Sequence, residues 1–184
     1  MTAIASRSQL RMSFLRYALF TVPLVLLLGT VSGRISGSGY GNAWFDALQK
    51  PDFMPPGWLF GVAWTILYIL LGFVLAMLLS ARGARLRGVT IGLFVLQLAM
   101  NYCWSPLFFA MHRIDAALML ILAMIALTLI LVVLVWRIRR MGAVLMLPYL
   151  AWLCFAAALT QSIGALNPEG ARLAPAGAST DIAL

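Results

Sequence analysis

The chain is organised as five long apolar runs separated by short polar breaks, covering about residues 17–34, 56–80, 89–111, 114–136 and 143–166. An α-helix needs about 20 apolar residues to cross the hydrocarbon core of a bilayer, and the runs are of that length. Within each run the apolar positions are continuous rather than alternating, which argues against a β-barrel. The pattern predicts an all-α integral membrane protein, a bundle of five transmembrane helices in a single domain spanning residues 17–166.

The breaks carry their own signals. Residues 33–41 are Gly- and Ser-rich, and Trp44 to Pro56 is punctuated by prolines that rule out one continuous helix, so residues 35–55 read as an extramembrane loop. Pro56 suits the first turn of the second helix. Little more than His112 and Arg113 separates the third run from the fourth, which makes those helices antiparallel neighbours. Pro148 interrupts the fifth run and is expected to bend it just before Tyr149 and Trp152. Residues 1–16 form a basic N-terminal segment, and residues 167–184, rich in Ala, Pro and Gly, are expected to be a disordered tail.

Composition agrees with this picture: 64% of the 184 residues are hydrophobic and 10% are charged. The net charge of +8 is no sign of nucleic-acid binding, because the basic residues fall between the apolar runs. Nine of the thirteen (Arg7, Arg11, Arg16, Arg82, Arg85, Arg87, Arg137, Arg139 and Arg140) lie on one side of the five-span arrangement. The opposite side has Arg34, Lys50, Arg113 and Arg172 with all five acidic residues. The positive-inside rule then puts the N-terminus in the cytoplasm and the 35–55 loop and C-terminus outside, in the cytoplasmic membrane of a bacterium. The alternative host is an outer membrane. A cleaved secretory signal in place of the first span would leave four spans with the same loop sides, and charge does not separate the two readings. Cys103 and Cys154 sit inside apolar runs without metal-ligand or disulfide spacing and read as small buried hydrophobes.

No Asp, Glu, Lys, Arg or His falls in the middle of a span, which argues against a proton-coupled pump. No metal cluster, hydrolase triad or phosphate loop is present, and His112, at a helix end, reads as interfacial or capping. The distinctive residues are aromatic and uncharged. Six Trp occur, of which Trp44, Trp58 and Trp136 fall near membrane surfaces and Trp64, Trp104 and Trp152 deeper. Trp64 and Tyr68 share one helical face; Gln97, Asn101 and Trp104 share another; Trp152, Phe155, Ala156 and Leu159 form a stripe on the fifth helix. An amide such as Asn101 is costly in lipid, so it either bonds a neighbouring helix or faces a cavity. Inward faces with rings and amides but no charge suit a flat, mostly apolar ligand; aromatic helix packing alone is the competing explanation.

Three ordered motifs resemble the TspO and translocator proteins, the tryptophan-rich sensory or TspO/MBR family: WFDALQKPDFMPPGWLFGVAWTILY from Trp44, QLAMNYCWSPLFF from Gln97, and PYLAWLCFAAAL from Pro148. The resemblance implies a five-helix fold of TspO type, commonly homodimeric, in which a loop after the first helix covers a cavity for protoporphyrin IX or haem and, in animals, cholesterol. It implies no required cofactor and no metal; tetrapyrrole and membrane lipid are the partners. The ligand-binding set becomes Trp64, Tyr68, Gln97, Asn101, Trp104, Tyr149, Trp152, Phe155 and Ala156, with a lid of Trp44, Phe45, Lys50, Pro51, Pro55 and Pro56. Trp64 and Trp152 match the tryptophans linked to light-dependent porphyrin breakdown and are the catalytic candidates if the protein degrades its ligand. Thr160 stands where the family often has Asn. No basic residue follows Tyr149 before Arg172, so the family's sterol motif is missing. The expected function is a porphyrin-binding sensor regulating tetrapyrrole metabolism or stress responses, with a photo-oxidative enzyme and a carrier of porphyrin, sterol or lipid as alternatives.

Overall fold

A computed structural model describes residues 7–170 of the chain, all of it helix or connecting loop. The long helices are α1 (Arg7–Ile35), α3 (Gly57–Ser80), α4 (Arg87–Ser105), α5 (Ile114–Ile138) and α6 (Arg140–Leu166); a short helix α2 (Ala43–Ala47) lies in the first loop, and a π-helical turn, Pro106–Ala110, extends α4. Five of these segments are long and apolar enough to span a bilayer. In the bundle α1 packs chiefly on α3 and α5 on α6, with α4 touching α1, α3 and α5.

Three boundaries, and the placement of two cysteines, differ from the sequence expectation in informative ways. Helix α1 begins ten residues before the apolar run, because Arg7 to Arg16 continue its first turns. Residues 1–6 of the basic segment lie outside the described residues. Loop 35–55 contains α2, capped by Asn42, whose Oδ1 accepts from Phe45 N at 3.0 Å. Residues 167–170 belong to the folded structure: Asn167 and Gly170 are buried, and both bond the first loop. The rest of the expected tail, residues 171–184, lies outside the described residues. Cys103 and Cys154 are exposed on helix surfaces rather than buried, a placement that costs a weakly polar thiol little in lipid.

The α1–α3 seam is close because glycine permits it. A Cβ on Gly72 would lie 2.6 Å from Val22 Cα, and Thr21 Oγ1 donates to Gly72 O at 2.8 Å across the same contact. Gly29 gives way in the same manner to the ring of Tyr68. Small residues that let backbones approach are how membrane helices gain packing energy without a hydrophobic driving force.

Proline sets the geometry of α4. Pro106 has no N–H, so the carbonyl of Tyr102 loses its helical donor, and Ser32 Oγ of α1 supplies the replacement at 2.6 Å. The turn then widens, with Met111 N donating to Pro106 O at 2.9 Å five residues back. At the other end of the bundle Arg87 caps α3, donating to Leu78 O and Leu79 O, each at 2.8 Å.

Gly72→Val is expected to separate α1 from α3 and destabilise the protein by about 1–3 kcal/mol, the usual cost of overpacking. Gly61→Ala, where an added Cβ meets nothing within 4 Å, serves as the neutral partner. Thermal unfolding in detergent checks both; equal midpoints for the two variants would show that the seam is not tight.

Candidate functional site

An aromatic cavity of about 600 Å³ opens inside the half of the bundle nearer the first loop. Its walls come from α1, α3, α4, α5 and α6, and Tyr40, Phe45 and Met54 contribute from the loop. No described side chain lining it is charged.

The sequence-derived residues separate into three layers. Trp64, Tyr68, Asn101, Trp104, Trp152 and Ala156 border the cavity. Gln97 and Tyr149 do not; they are 1% and 0% exposed and stand behind the wall. Phe155 is also outside the lining and packs between Trp152, at 5.5 Å between ring centroids, and Phe53 of the loop, at 6.4 Å. The helical stripe on α6 is therefore rotated slightly from the expected one: Trp152, Ala156, Leu159 and Thr160 face the cavity and Phe155 faces the loop.

A buried hydrogen-bond network joins the first two layers. Tyr68 Oη donates to Asn101 Oδ1 at 3.0 Å, while Asn101 Nδ2 and Gln97 Nε2 donate to Tyr149 Oη at 3.1 and 2.9 Å. The amides on α4 thus meet tyrosines from α3 and α6, which offsets much of their cost in an apolar medium, although Gln97 Oε1 is buried with no partner among the described residues. Asn101 does both things the sequence allowed, binding helices together and bordering the cavity. Trp104 stacks on Phe108 at 5.2 Å, and its indole N–H is buried without a partner. Trp64 lies against Tyr68 at 5.2 Å and edge-on to Trp152 at 6.3 Å.

The loop residues behave differently from the lid expected. Only Phe45 of that set borders the cavity. Trp44 is a wedge, 1% exposed, stacked on His112 at 4.3 Å, with Nε1 donating to Gly170 O at 2.7 Å. His112 thereby acts as a packing surface, in a left-handed conformation with φ of 54°. Lys50 Nζ donates to Phe45 O at 2.8 Å, Leu48 O at 3.1 Å and Asp46 O at 3.3 Å, closing the C-terminal end of α2. Pro51, Pro55 and Pro56 shape the return to α3 without lining the cavity.

A clamp between the loop and the end of α6 holds this cover in place. Gln49 N donates to Asn167 Oδ1 at 2.9 Å, and Asn167 Nδ2 donates back to Gln49 O at 2.8 Å. The side-chain amide pairs with the backbone as a neighbouring strand would. Asn167 was missed from the sequence because it follows the last apolar run; the signal available was an Asn directly after a helix end, a position that residue type favours. Tyr40 and Met54 lie in the loop, with no helical face to place them on; Phe60, one turn before Trp64, and Thr160, one turn after Ala156, were missed although helical period was the signal that could have found both.

Fold and cavity define a five-span membrane protein built around a charge-free aromatic chamber under a clamped loop. The sequence profile of the TspO/MBR family matches residues 21–166, and the chain belongs to that family of membrane sensory and translocator proteins. It is 35% identical over 128 residues to Protein CrtK of Rhodobacter capsulatus, covering 69% of this chain and 80% of that one. Tryptophan-rich protein TspO of Archaeoglobus fulgidus is 37% identical over 129 residues, covering 68% and 81%. The human Translocator protein is 32% identical over 138 residues, covering 74% and 82%.

Two substitutions test the site's framework. Tyr149→Phe leaves the amide N–H groups of Gln97 and Asn101 without their acceptor, and a loss of about 1–3 kcal/mol is expected in thermal or denaturant unfolding; an unchanged midpoint would remove the network from the list of stabilising features. Asn167→Ala is expected to raise hydrogen–deuterium exchange of residues 44–50 about tenfold, the equivalent of about 1.4 kcal/mol of lost local closure, and wild-type exchange in that segment would show that the clamp does not hold the loop.

Proposed function

We propose that the protein is a receptor-like sensor that binds tetrapyrroles, protoporphyrin IX or haem, in this cavity. The observation that carries the reading is a chamber of about 600 Å³ with aromatic walls and no charge. That volume falls within the about 300–1,000 Å³ typical of small-molecule sites. The rings of Trp64, Trp104 and Trp152 supply faces and edges for a conjugated macrocycle. The remaining N–H and lone pair of Asn101 offer a polar handle. Tyr149, Gln97 and Phe155 act by supporting that wall. Binding without turnover is enough for a sensor of pigment supply or stress.

The same reading takes the working unit as a homodimer in a bacterial cytoplasmic membrane, with the N-terminus in the cytoplasm. Support for the orientation is the arrangement of charge: the end of the bundle formed by the start of α1, the α3–α4 connection and the α5–α6 connection carries nine of the thirteen basic residues.

A photo-oxidative reading is favoured by one observation. Trp152, Trp64 and Tyr68 form a chain of ring contacts at 6.3 and 5.2 Å, along which an electron can pass to a light-excited macrocycle with oxygen as the oxidant.

The test is quenching of tryptophan fluorescence by protoporphyrin IX in the dark, followed by absorbance under light in air. Saturable quenching, weakened by Trp152→Phe and by Asn101→Leu, is the expected result. Absence of saturation would overturn tetrapyrrole binding. Porphyrin loss under light that disappears in Trp64→Phe, with binding retained, would favour the enzyme over the sensor.

A further inference from the structure

Beside the mouth of the cavity lies a second, polar basin of about 460 Å³, bordered by the end of α1 and the turn that follows it. The two spaces share Thr30, Gly33, Ser38 and Tyr40 as walls. Arg34 borders the basin and is the one charged side chain among the described residues lining either space.

We propose that this basin is an anion subsite in which Arg34, with Ser38 beside it, receives a carboxylate of a ligand whose apolar body occupies the aromatic cavity.

An Arg in the last turn of a helix has an ordinary explanation, since its charge complements the C-terminal end of the helix dipole and its donors can cap free carbonyls. Two other cations at helix ends in this protein do that work visibly: Arg87 bonds two carbonyls of α3, and Lys50 bonds three around α2. Arg34 does not. The end of α1 is closed without it, through Ser38 N to Gly33 O at 2.9 Å, Gly37 N to Arg34 O at 3.1 Å and Ser36 Oγ to Ser32 O at 2.6 Å. The Arg34 guanidinium makes no hydrogen bond or ion pair among the described residues, and its five donors remain available.

The turn beside the basin is rich in glycine, and Gly37 and Gly41 border the basin itself. Gly37, Gly39 and Gly41 all have positive φ, at 60°, 104° and 94°, and a Cβ on Gly39 or Gly41 would meet no atom within 4 Å. The turn already holds one carboxylate: Gly41 N donates to Asp46 Oδ2 at 3.0 Å. Asp46 makes no ion pair with Arg34. A flat apolar body in a charge-free chamber with one cation at its rim selects amphipathic acids over neutral molecules of the same shape, because the carboxylate can stay at the wet edge while the rings are buried. Protoporphyrin IX, with two propionates on one edge of an apolar ring, has that form.

This inference rests on the tetrapyrrole reading, and the experiment separates the two. Protoporphyrin IX and its dimethyl ester are titrated in the dark against full-length wild type, Arg34→Gln and Arg34→Lys in a neutral detergent. Comparing variants at a fixed ligand cancels the ligand's partition into micelles. Since Arg34 is solvent-exposed, the expected effect is about a three- to fivefold weakening of free-acid binding by Arg34→Gln, in the range of exposed ion pairs. Ester affinity should be unchanged, which also shows that the variant folds. Arg34→Lys should restore part of the loss, and the difference between Arg34→Gln and wild type should shrink as salt is raised. Equal free-acid affinity in wild type and Arg34→Gln would overturn the subsite and leave tetrapyrrole binding standing. Equal weakening of acid and ester would also overturn it, since Arg34 would then act on the ring or the fold. No saturable binding of either compound to wild type would overturn both.

Discussion

A polar group inside a bilayer is costly unless it finds a partner within the protein, and this constraint organises the whole molecule. Helix α4 carries the burden because it has the most polar inward face of the five spans and a proline near its end. Its amides are met by Tyr68 and Tyr149, and the carbonyl of Tyr102 released by Pro106 is met by Ser32. These partners come from α3, α6 and α1 in turn. A helix whose polar face could have met lipid only at high cost therefore becomes the strut to which three others are fixed. The cavity lies next to that strut, so the groups that bind the bundle together also form its wall.

The loop is built on a different principle. Trp44 and Phe45 insert among Phe108, Phe109 and Ile163 to form a second apolar cluster, separate from the core that runs along the remaining length of the helices. Between the two clusters lies the aromatic chamber, which shares Trp104 with both. Wedge, wide π-turn and Asn167 clamp form one unit: the expanded turn after Pro106 positions Phe108 and Phe109 to receive the wedge, and the clamp fixes the chain immediately after it. Closure is thus distributed between packing and a pair of backbone-like hydrogen bonds.

Much of this was legible in the sequence, and the boundary of legibility is physical. Span number followed from run length, and the inward faces of α3 and α4 followed from helical period, which is why Trp64, Tyr68, Asn101 and Trp104 fall where expected. Period alone could not fix the rotation of α6 to within one residue, so Phe155 was placed in the cavity although it faces the loop. It also could not separate wall from support: Gln97 shares a face with Asn101 but lies one turn deeper, against Tyr149. Loop roles were least accessible, because prolines and aromatics mark a structured loop without saying which side chain points where. Asn167 shows the limit most clearly. Its partners are more than a hundred residues away in the chain, and no local pattern encodes them.

The six tryptophans illustrate why composition is a poor guide to role even in a family named for them. Trp44 is a buried wedge bonded through its indole N–H to Gly170. Trp136 lies under the guanidinium of Arg140 at 5.7 Å from the ring, and Trp58 is 68% exposed, although it also touches the cavity mouth. Only Trp64, Trp104 and Trp152 present substantial ring surface deep in the chamber, and each has a different neighbour: Tyr68, Phe108 and Phe60. Their redundancy is therefore apparent rather than real. A ligand of the kind proposed would meet three rings on three helices, each tied to a different part of the scaffold, so its contacts would register the relative positions of α3, α4 and α6. Since the amide–tyrosine network couples the same three helices, such a ligand and the hydrogen bonds behind the wall would act on one common degree of freedom, the spacing of those helices.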